Sequence, residues 1–478
     1  MTNFRRRSLA ALLAHAALSA CSMAPAYHVP APIPGSAPLP AAFKTDPLWA
    51  PASPADAAPK GPWWQLFNDP VLDALEDKVA VTNQNVAAAR AAWMQARALV
   101  SEDRAALFPT VSVSASATRN GTLSSTPVAG TATRNFTAQA SAGWAPDLWG
   151  KLGDTVRQAK AGAQASAADL ANATLSAQAT LAADYLQLRG LDQQAALQDD
   201  TVAAYARALT ITRHKYAVGN AGRADVDAAQ SLLSNAQAQR RDLDRQRAEM
   251  EDAVAVLTGQ NPSTFTLAPA AWAPTMPQVP GLLPAQLLQR RPDIAAAERN
   301  VSAANSGIGI ARTAFFPAVS LTGNVGTTGS ALSSLFTAAS SFWSLGGSAV
   351  ETVLDFGANS ARLRGAHAQY ASTVASYRQT VLTAFGQVED NLAAQAAFRD
   401  TEADLATAEQ AASHSEAIAH NELAVGTIDY ITLATAKAAA NGARQSLVIN
   451  EVNRQSAAVA LIEAIGGGWS VKDGAPVH

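Results

Sequence analysis

The chain has 478 residues, of which 48% are hydrophobic and only 15% charged, against roughly 25% charged in ordinary soluble domains, and its formal net charge is −3. No run approaches the ~18 to 20 consecutive apolar residues of a membrane-spanning helix, which excludes a helical membrane protein. Apolar residues recur periodically, which excludes a disordered polar chain, and no basic face marks a nucleic-acid binder.

The N-terminus reads as an export signal: Arg5, Arg6 and Arg7 form a basic start, and Leu9 to Leu18 a short apolar core. Leu18-Ser19-Ala20-Cys21 resembles the bacterial lipobox, which predicts removal of residues 1–20 and lipid attachment at Cys21. A buried thiol that merely follows an apolar stretch is the alternative. Cys21 is the only cysteine, so neither an intrachain disulfide nor a cysteine metal cluster can form. Loss of residues 1–20 removes three arginines and no acid, moving the net charge from −3 to −6. Ser22, rather than Asp, after the cysteine favours sorting to the outer membrane.

Residues 22–62 hold eleven prolines, so 21–62 is predicted to be an extended strap from the lipid to the folded body. A second proline-rich stretch, 262–283, divides a first repeat (63–261) from a second (284–469), with 470–478 as a tail. Ala106-Leu107-Phe108-Pro109-Thr110-Val111-Ser112 matches Ala314-Phe315-Phe316-Pro317-Ala318-Val319-Ser320 at an offset of 208. Asp147 before Gly150 pairs with Asp355 before Gly357, again at 208, and Val218-Gly219 pairs with Val425-Gly426 at 207. Three landmarks at nearly one offset indicate a whole structural half built twice.

Each half predicts a helix (about 70–106, then 284–314), two strands, a very long helix, a glycine turn and a returning helix. Pro292 and Asp293 suit a first helical turn. Tyr370, Val374, Tyr377, Val381, Phe385, Val388 and Leu392, like Leu170 to Leu188 in the first half, repeat at coiled-coil spacing. Helices over 151–217 and 358–424 would each span about 100 Å. Glycine closes each helix at Gly219, Gly259, Gly426 and Gly466.

The strand candidates alternate apolar with hydroxyl, amide or glycine: Val111 to Thr118, Phe136 to Trp144, Val319 to Val325 and Trp343 to Ala349. A half-buried soluble sheet gives the same alternation. The uncharged polar face and the aromatics near strand ends suit instead a membrane barrel with a wet lumen. Four strands cannot close a barrel, and an open edge in lipid costs several kcal/mol per unsatisfied group. Three copies would supply twelve strands.

The lipobox, the paired F-P-x-V-S strand starts, Arg290-Arg291-Pro292-Asp293-Ile294 with Ala297-Glu298, the V-G tips and the terminal Gly466-Gly467-Gly468-Trp469 together resemble the TolC-like outer-membrane efflux channel family, in particular the lipoprotein branch that includes OprM. The resemblance runs from about Trp63 to Trp469. It implies an internally duplicated α+β membrane protein: a homotrimer with a 12-stranded outer-membrane β-barrel, four strands per chain, continued by a long periplasmic α-helical barrel. It implies partnership with a periplasmic adaptor and an inner-membrane RND-type pump, contact with outer-membrane lipid, and no catalysis or cofactor. It places Asp429 in a ring of acids narrowing the periplasmic entrance, with helix capping as the competing role. Thr432 stands where a second acid occurs in TolC-like tips, which favours a single ring. Asp225 is read as the matching site in the first hairpin, and Val218, Gly219, Val425 and Gly426 as adaptor-contacting tips that also need glycine for a tight turn.

No Walker, G-x-S-x-G or H-E-x-x-H motif is present, and His414 and His420, six apart, face different sides of a helix, so no metal set is assigned. The expected function is a passive exit duct for drugs or other small molecules. A metal-ion or peptide export duct and a non-pore coiled-coil scaffold remain the alternatives.

Overall fold

The computed structural model describes residues 22–32, 62–121, 133–272, 275–277, 291–335 and 337–467. Cys21, the signal segment, most of the strap and the terminal tail lie outside the described residues. After a short turn of 3₁₀ helix (Trp63–Phe67), the first repeat contains α1 (Pro70–Thr82), α2 (Gln84–Ala105), β1 (Thr110–Asn120), β2 (Thr133–Trp144), α3 (Lys151–Ala217) and α4 (Arg223–Leu257). The second contains α5 (Pro292–Thr313), β3 (Ala318–Gly329), β4 (Ser341–Val350), α6 (Ala358–Ala424) and α7 (Tyr430–Ala464). The duplication is visible in the lengths: α3 and α6 have 67 residues each, α4 and α7 35 each.

One expected helix is two. Over 70–106 the chain breaks at Asn83, whose backbone is extended (ψ 126°). The Asn83 carboxamide oxygen accepts from the amides of Asn85 (2.9 Å) and Val86 (3.1 Å), starting α2. Its nitrogen donates to the Leu257 carbonyl (2.8 Å), capping the end of α4. An asparagine that can satisfy backbone groups on two helices outcompetes helix continuation.

The landmark aspartates explain themselves as caps. Asp147 accepts from the amides of Leu152 (3.0 Å) and Gly153 (2.7 Å), and Asp355 from those of Gly357 (2.9 Å) and Asn359 (2.7 Å). The glycine that lets each chain turn into its long helix has positive φ, 75° at Gly150 and 90° at Gly357. Each aspartate thus meets orphan amides at a helix start, a contribution of about 1 kcal/mol.

Arg291 does more than start a helix. Its guanidinium pairs with Asp293 (2.6 Å) and donates to Gln387 (2.8 Å) and to the Ala464 carbonyl (2.9 Å). The first turn of α5 is thereby tied to α6 and to the end of α7.

The described residues form two compact units, and each draws on both repeats: one within 1–31, 92–166 and 296–378, the other within 32–91, 167–295 and 379–478. In the first unit β1-β2-β3-β4 make one antiparallel sheet in sequence order. Registers carry single rows straight across it: Val113, Ala140, Val325 and Trp343 on one face, Ser112, Ser141, Asn324 and Ser344 on the other. On the polar face Ser320 and Ser348 bond at 2.8 Å and Asn324 donates to Ser344 at 3.2 Å. Residues 22–31 are fastened to the same unit. Ser22 donates to Asp154 (2.8 Å), Asn305 to the Pro25 carbonyl (2.9 Å), Arg312 to Met23 (3.1 Å) and Arg378 to Ala31 (3.2 Å). Gly309 is required there, because a β-carbon on it would lie 2.6 Å from the Ala24 nitrogen.

In the second unit Trp63, Trp64 and Phe67 pack with Leu72, Leu75 and Val79 of α1, Leu181 and Tyr185 of α3, Val254 of α4 and Ile462 of α7. Each such fully buried side chain contributes about 1.5–3 kcal/mol. A separate cluster of Tyr205, Leu209, Val226, Leu233 and Ala434 joins α3, α4 and α7 nearer the hairpin turns.

Candidate functional site

Both hairpin tips are built by the same closure. At the end of α3, Gly219 takes φ 77°, the Asn220 amide returns to the Lys215 carbonyl (2.8 Å) and the Gly219 amide to Tyr216 (3.0 Å). At the end of α6, Gly426 takes φ 79°, with Thr427 bonded to Glu422 (3.0 Å) and Gly426 to Leu423 (3.1 Å). A side chain in this left-handed region costs roughly 1–2 kcal/mol. No atom lies within 4 Å of a β-carbon placed on either glycine, so that conformational cost is the whole cost. The closures push Val218 and Val425 outward, where they are 71% and 76% exposed. Each tight turn thus holds one apolar side chain in water.

Asp429 is the N-cap of α7: one carboxylate oxygen accepts from the Thr432 amide (3.0 Å) and the Thr432 hydroxyl (2.7 Å). Burial pushes its carboxyl up, but Thr432 and the nearby Lys215 cation outweigh that and hold it below the usual carboxylate range. The side chain is exposed. It is therefore an ionised, solvent-facing cap.

Asp225 is not the counterpart of Asp429. The 207-residue offset carries Asp429 onto Gly222, the N-cap of α4, and Thr432 onto Asp225. Asp225 instead reaches back and accepts from the Gly222 amide (2.8 Å). The two hairpins split one task differently: the second puts the acid at the cap and the hydroxyl at the third position, the first puts glycine at the cap and the acid at the third position. Lys215 carries a part in the tip that no periodicity announces, since its nearness to Asp429 is long-range. Tyr430 beside that cap lies under the Arg207 guanidinium, 5.8 Å from ring centre, another contact invisible in the sequence pattern.

The sheet is the other functional surface. Its apolar face is bare: Val111, Val113, Val325, Trp343 and Leu345 are between 60% and 82% exposed. Among the described residues no helix is long and apolar enough to cross a membrane. The sheet's apolar face, 10–12 residues along each strand, has the length a tilted transmembrane strand needs, ~9–11 residues. Among the described residues no three His, Cys, Asp or Glu side chains gather as a metal site would require.

The model of the outer membrane efflux protein family matches residues 75–260 and 283–467, once for each repeat. The chain belongs to that family. It is 31% identical over 468 residues to the toluene efflux pump outer membrane protein TtgF of Pseudomonas putida, covering 95% of each chain. To outer membrane protein OprJ of Pseudomonas aeruginosa it is 28% identical over 98% of each chain. The open-state outer membrane channel MtrE of Neisseria gonorrhoeae has the same fold, with a TM-score of 0.82 at 25% identity over 94% of this chain and 98% of that one. The membership places this α+β chain, with four strands and two long hairpins, in the outer membrane as an efflux channel.

Proposed function

We propose that three copies of this chain form the exit duct of a tripartite efflux pump and passively release small amphiphilic molecules delivered from the inner membrane. The observation that carries the proposal is the sheet, with an exposed apolar face, a hydroxyl-lined opposite face and two edges, at β1 and β4, left unpaired among the described residues. In lipid such edges leave backbone groups unsatisfied, at several kcal/mol each. Pairing β1 of one copy with β4 of the next closes twelve strands around a polar lumen, above the roughly eight of the smallest single-chain barrels.

Val218, Gly219, Val425 and Gly426 present the surface that meets the periplasmic adaptor, which links the duct to an RND-type pump. The Asp429 carboxylates form a single acidic ring at the periplasmic aperture, and Asp225 braces the first hairpin rather than lining it. Cys21 carries the lipid, and the fastened residues 22–31 hold the anchor to the barrel-side unit. The chain itself performs no catalysis; direction comes from the pump. Relatives named for toluene and antibiotic export support small amphiphiles over metal ions or peptides as cargo.

Planar-bilayer recording of the purified protein, with native mass spectrometry of the same sample, tests the reading. A trimer with discrete, ohmic openings is expected. A stable monomer, or a trimer without conductance under any applied potential, would refute it.

A further inference from the structure

Residues 105–146 and 314–350, which contain all four strands and the segments joining them in pairs, hold just two Asp, Glu, Lys, Arg or His side chains: Arg119 and Arg134. These two are register partners in the β1–β2 ladder, one step before the Asn120–Thr133 pair that ends it. Strand alternation puts Arg119 on the face of Val113 and Ala117, and Arg134 on the face of Phe136 and Ala140. That is the apolar, lipid-facing side for both. Both are exposed.

Like charges directly opposite on one face of a sheet destabilise the pair. Among the described residues neither arginine takes part in an ion pair. The connecting segment 122–132 contains no acid. No acid in this part of the chain can therefore pair with the two cations, so an anion that binds them comes from outside it.

Their depth says which one. The strand ends at Thr110, Trp144, Ala318 and Val350 lead to helices, so the Asn120–Thr133 end is the one turned away from the helical, periplasmic portion. Phe136 lies two residues inside Arg134, roughly 7 Å along the strand, at the position an interfacial aromatic occupies. The arginines then sit at head-group level in the outer leaflet. Two guanidinium forks side by side fit phosphate oxygens bidentately. We propose that Arg119 and Arg134 form a binding site for the phosphate groups of the outer-leaflet glycolipid, lipopolysaccharide, one site on each subunit. The site rests on the membrane-barrel reading, since it needs this face in lipid.

The test uses the full-length trimer in mild detergent, with bis-phosphorylated lipid A, dephosphorylated lipid A and phosphatidylglycerol as probes, read by native mass spectrometry. Wild type should retain bis-phosphorylated lipid A at least about tenfold better than the dephosphorylated form, and the Arg119→Gln/Arg134→Gln trimer should lose that preference. Arg119→Lys should keep part of it. Without added lipid the double variant should melt no lower than wild type, because it removes a repulsion; added lipid A should raise the melting temperature of wild type alone. Equal retention of the dephosphorylated form, retention of phosphatidylglycerol as strong as that of lipid A, or a wild-type preference in the double variant would each overturn the proposal. Absence of the trimer from the spectra would instead count against the barrel reading itself.

Discussion

Asp429→Asn separates charge from capping at the proposed periplasmic aperture. The cap rests on one oxygen that accepts from the Thr432 amide at 3.0 Å and hydroxyl at 2.7 Å. Asparagine keeps that oxygen, so the helix start should lose only a few tenths of a kcal/mol, whereas Asp429→Ala should lose about 1 kcal/mol per subunit. Thr432 and Lys215 hold the carboxyl below its usual range, so in each chain it is ionised at neutral pH and a trimer carries three charges. Taken alone, the three carboxylates give a monovalent cation about 10 Å away roughly 1.2 kcal/mol in water, an eightfold enrichment, and a divalent one about sixtyfold, at low ionic strength; the Lys215 cation near each carboxylate offsets part of this. The Asn variant should therefore show weaker periplasmic block by divalent cations in single-channel recordings. Because the folded-state pKa is depressed, the ionised cap stabilises above the ordinary carboxylate range and is lost as pH falls through the lower folded value. Crowding of the three carboxylates in the trimer opposes part of that depression. Wild-type conductance and block in Asp429→Asn at low salt would refute a charged aperture and leave the cap alone.

Three further outcomes follow from the same structure. Glu76 is fully buried with neither oxygen bonded, and burial, then Asp77 and Asp73, push its carboxyl up to about 9. A raised acid costs stability as pH climbs from the ordinary value towards the folded one, about 3 kcal/mol by pH 7, so Glu76→Leu should raise the melting temperature far more at pH 8 than at pH 4, and an equal gain at both would contradict it. Val113→Arg, on the exposed apolar face, should cost about 2–4 kcal/mol of barrel stability if that residue lies near the bilayer midplane, whereas Ser114→Arg on the hydroxyl face should fold and alter conductance; equal tolerance in a refolding assay would reverse the assignment of faces. Cys21→Ser should abolish palmitate labelling while leaving conductance of the purified trimer intact, and persistent labelling would remove the lipid anchor.

The long helices and strands were legible because each obeys a strong local rule. Strand residues such as Ser112, Val113 and Ser114 alternate because one face meets lipid and the other water. The ends of α3 and α6 are written by Gly219 and Gly426, the only residue type at ease at their φ, and the starts by Asp147 and Asp355. The break at Asn83 was not legible, since Val79 and Val86, seven apart, carry the apolar period straight across it, and only the tertiary bond to Leu257 shows why the chain stops there. At the tips, the acid itself drew attention to Asp225, although the offset assigns the cap position to Gly222. Glu76 stands in the buried stripe of Leu72, Leu75 and Val79, and pattern reading averages over one such exception.

The single chain leaves two surfaces unsatisfied among the described residues. At the sheet, β1 and β4 each keep an edge that is free among the described residues. Along the hairpins, α3 is buried through Leu181, Tyr185, Leu186, Leu188, Leu191, Tyr205 and Leu209, while α6 beyond Leu392 has Ala419 as its one buried apolar residue among those described. The apolar cluster near the tips takes residues from α3, α4 and α7 and, among the described residues, none from α6. That part of α6 is tied to α7 by polar contacts instead: Arg444 to Glu409 (3.1 Å) and Ser413 (2.7 Å), and the Arg454–Glu402 pair. Exposed or half-exposed pairs of this kind contribute about 0–1 kcal/mol each, too little to hold a helix of this length by themselves. A rotation that brings the next copy's β4 against β1 is head-to-tail, so it repeats at every interface and closes when the strand curvature returns to its start. A variant that blocks the strand edge should therefore fail to trimerise in mild detergent, and a trimer formed by it would refute edge pairing.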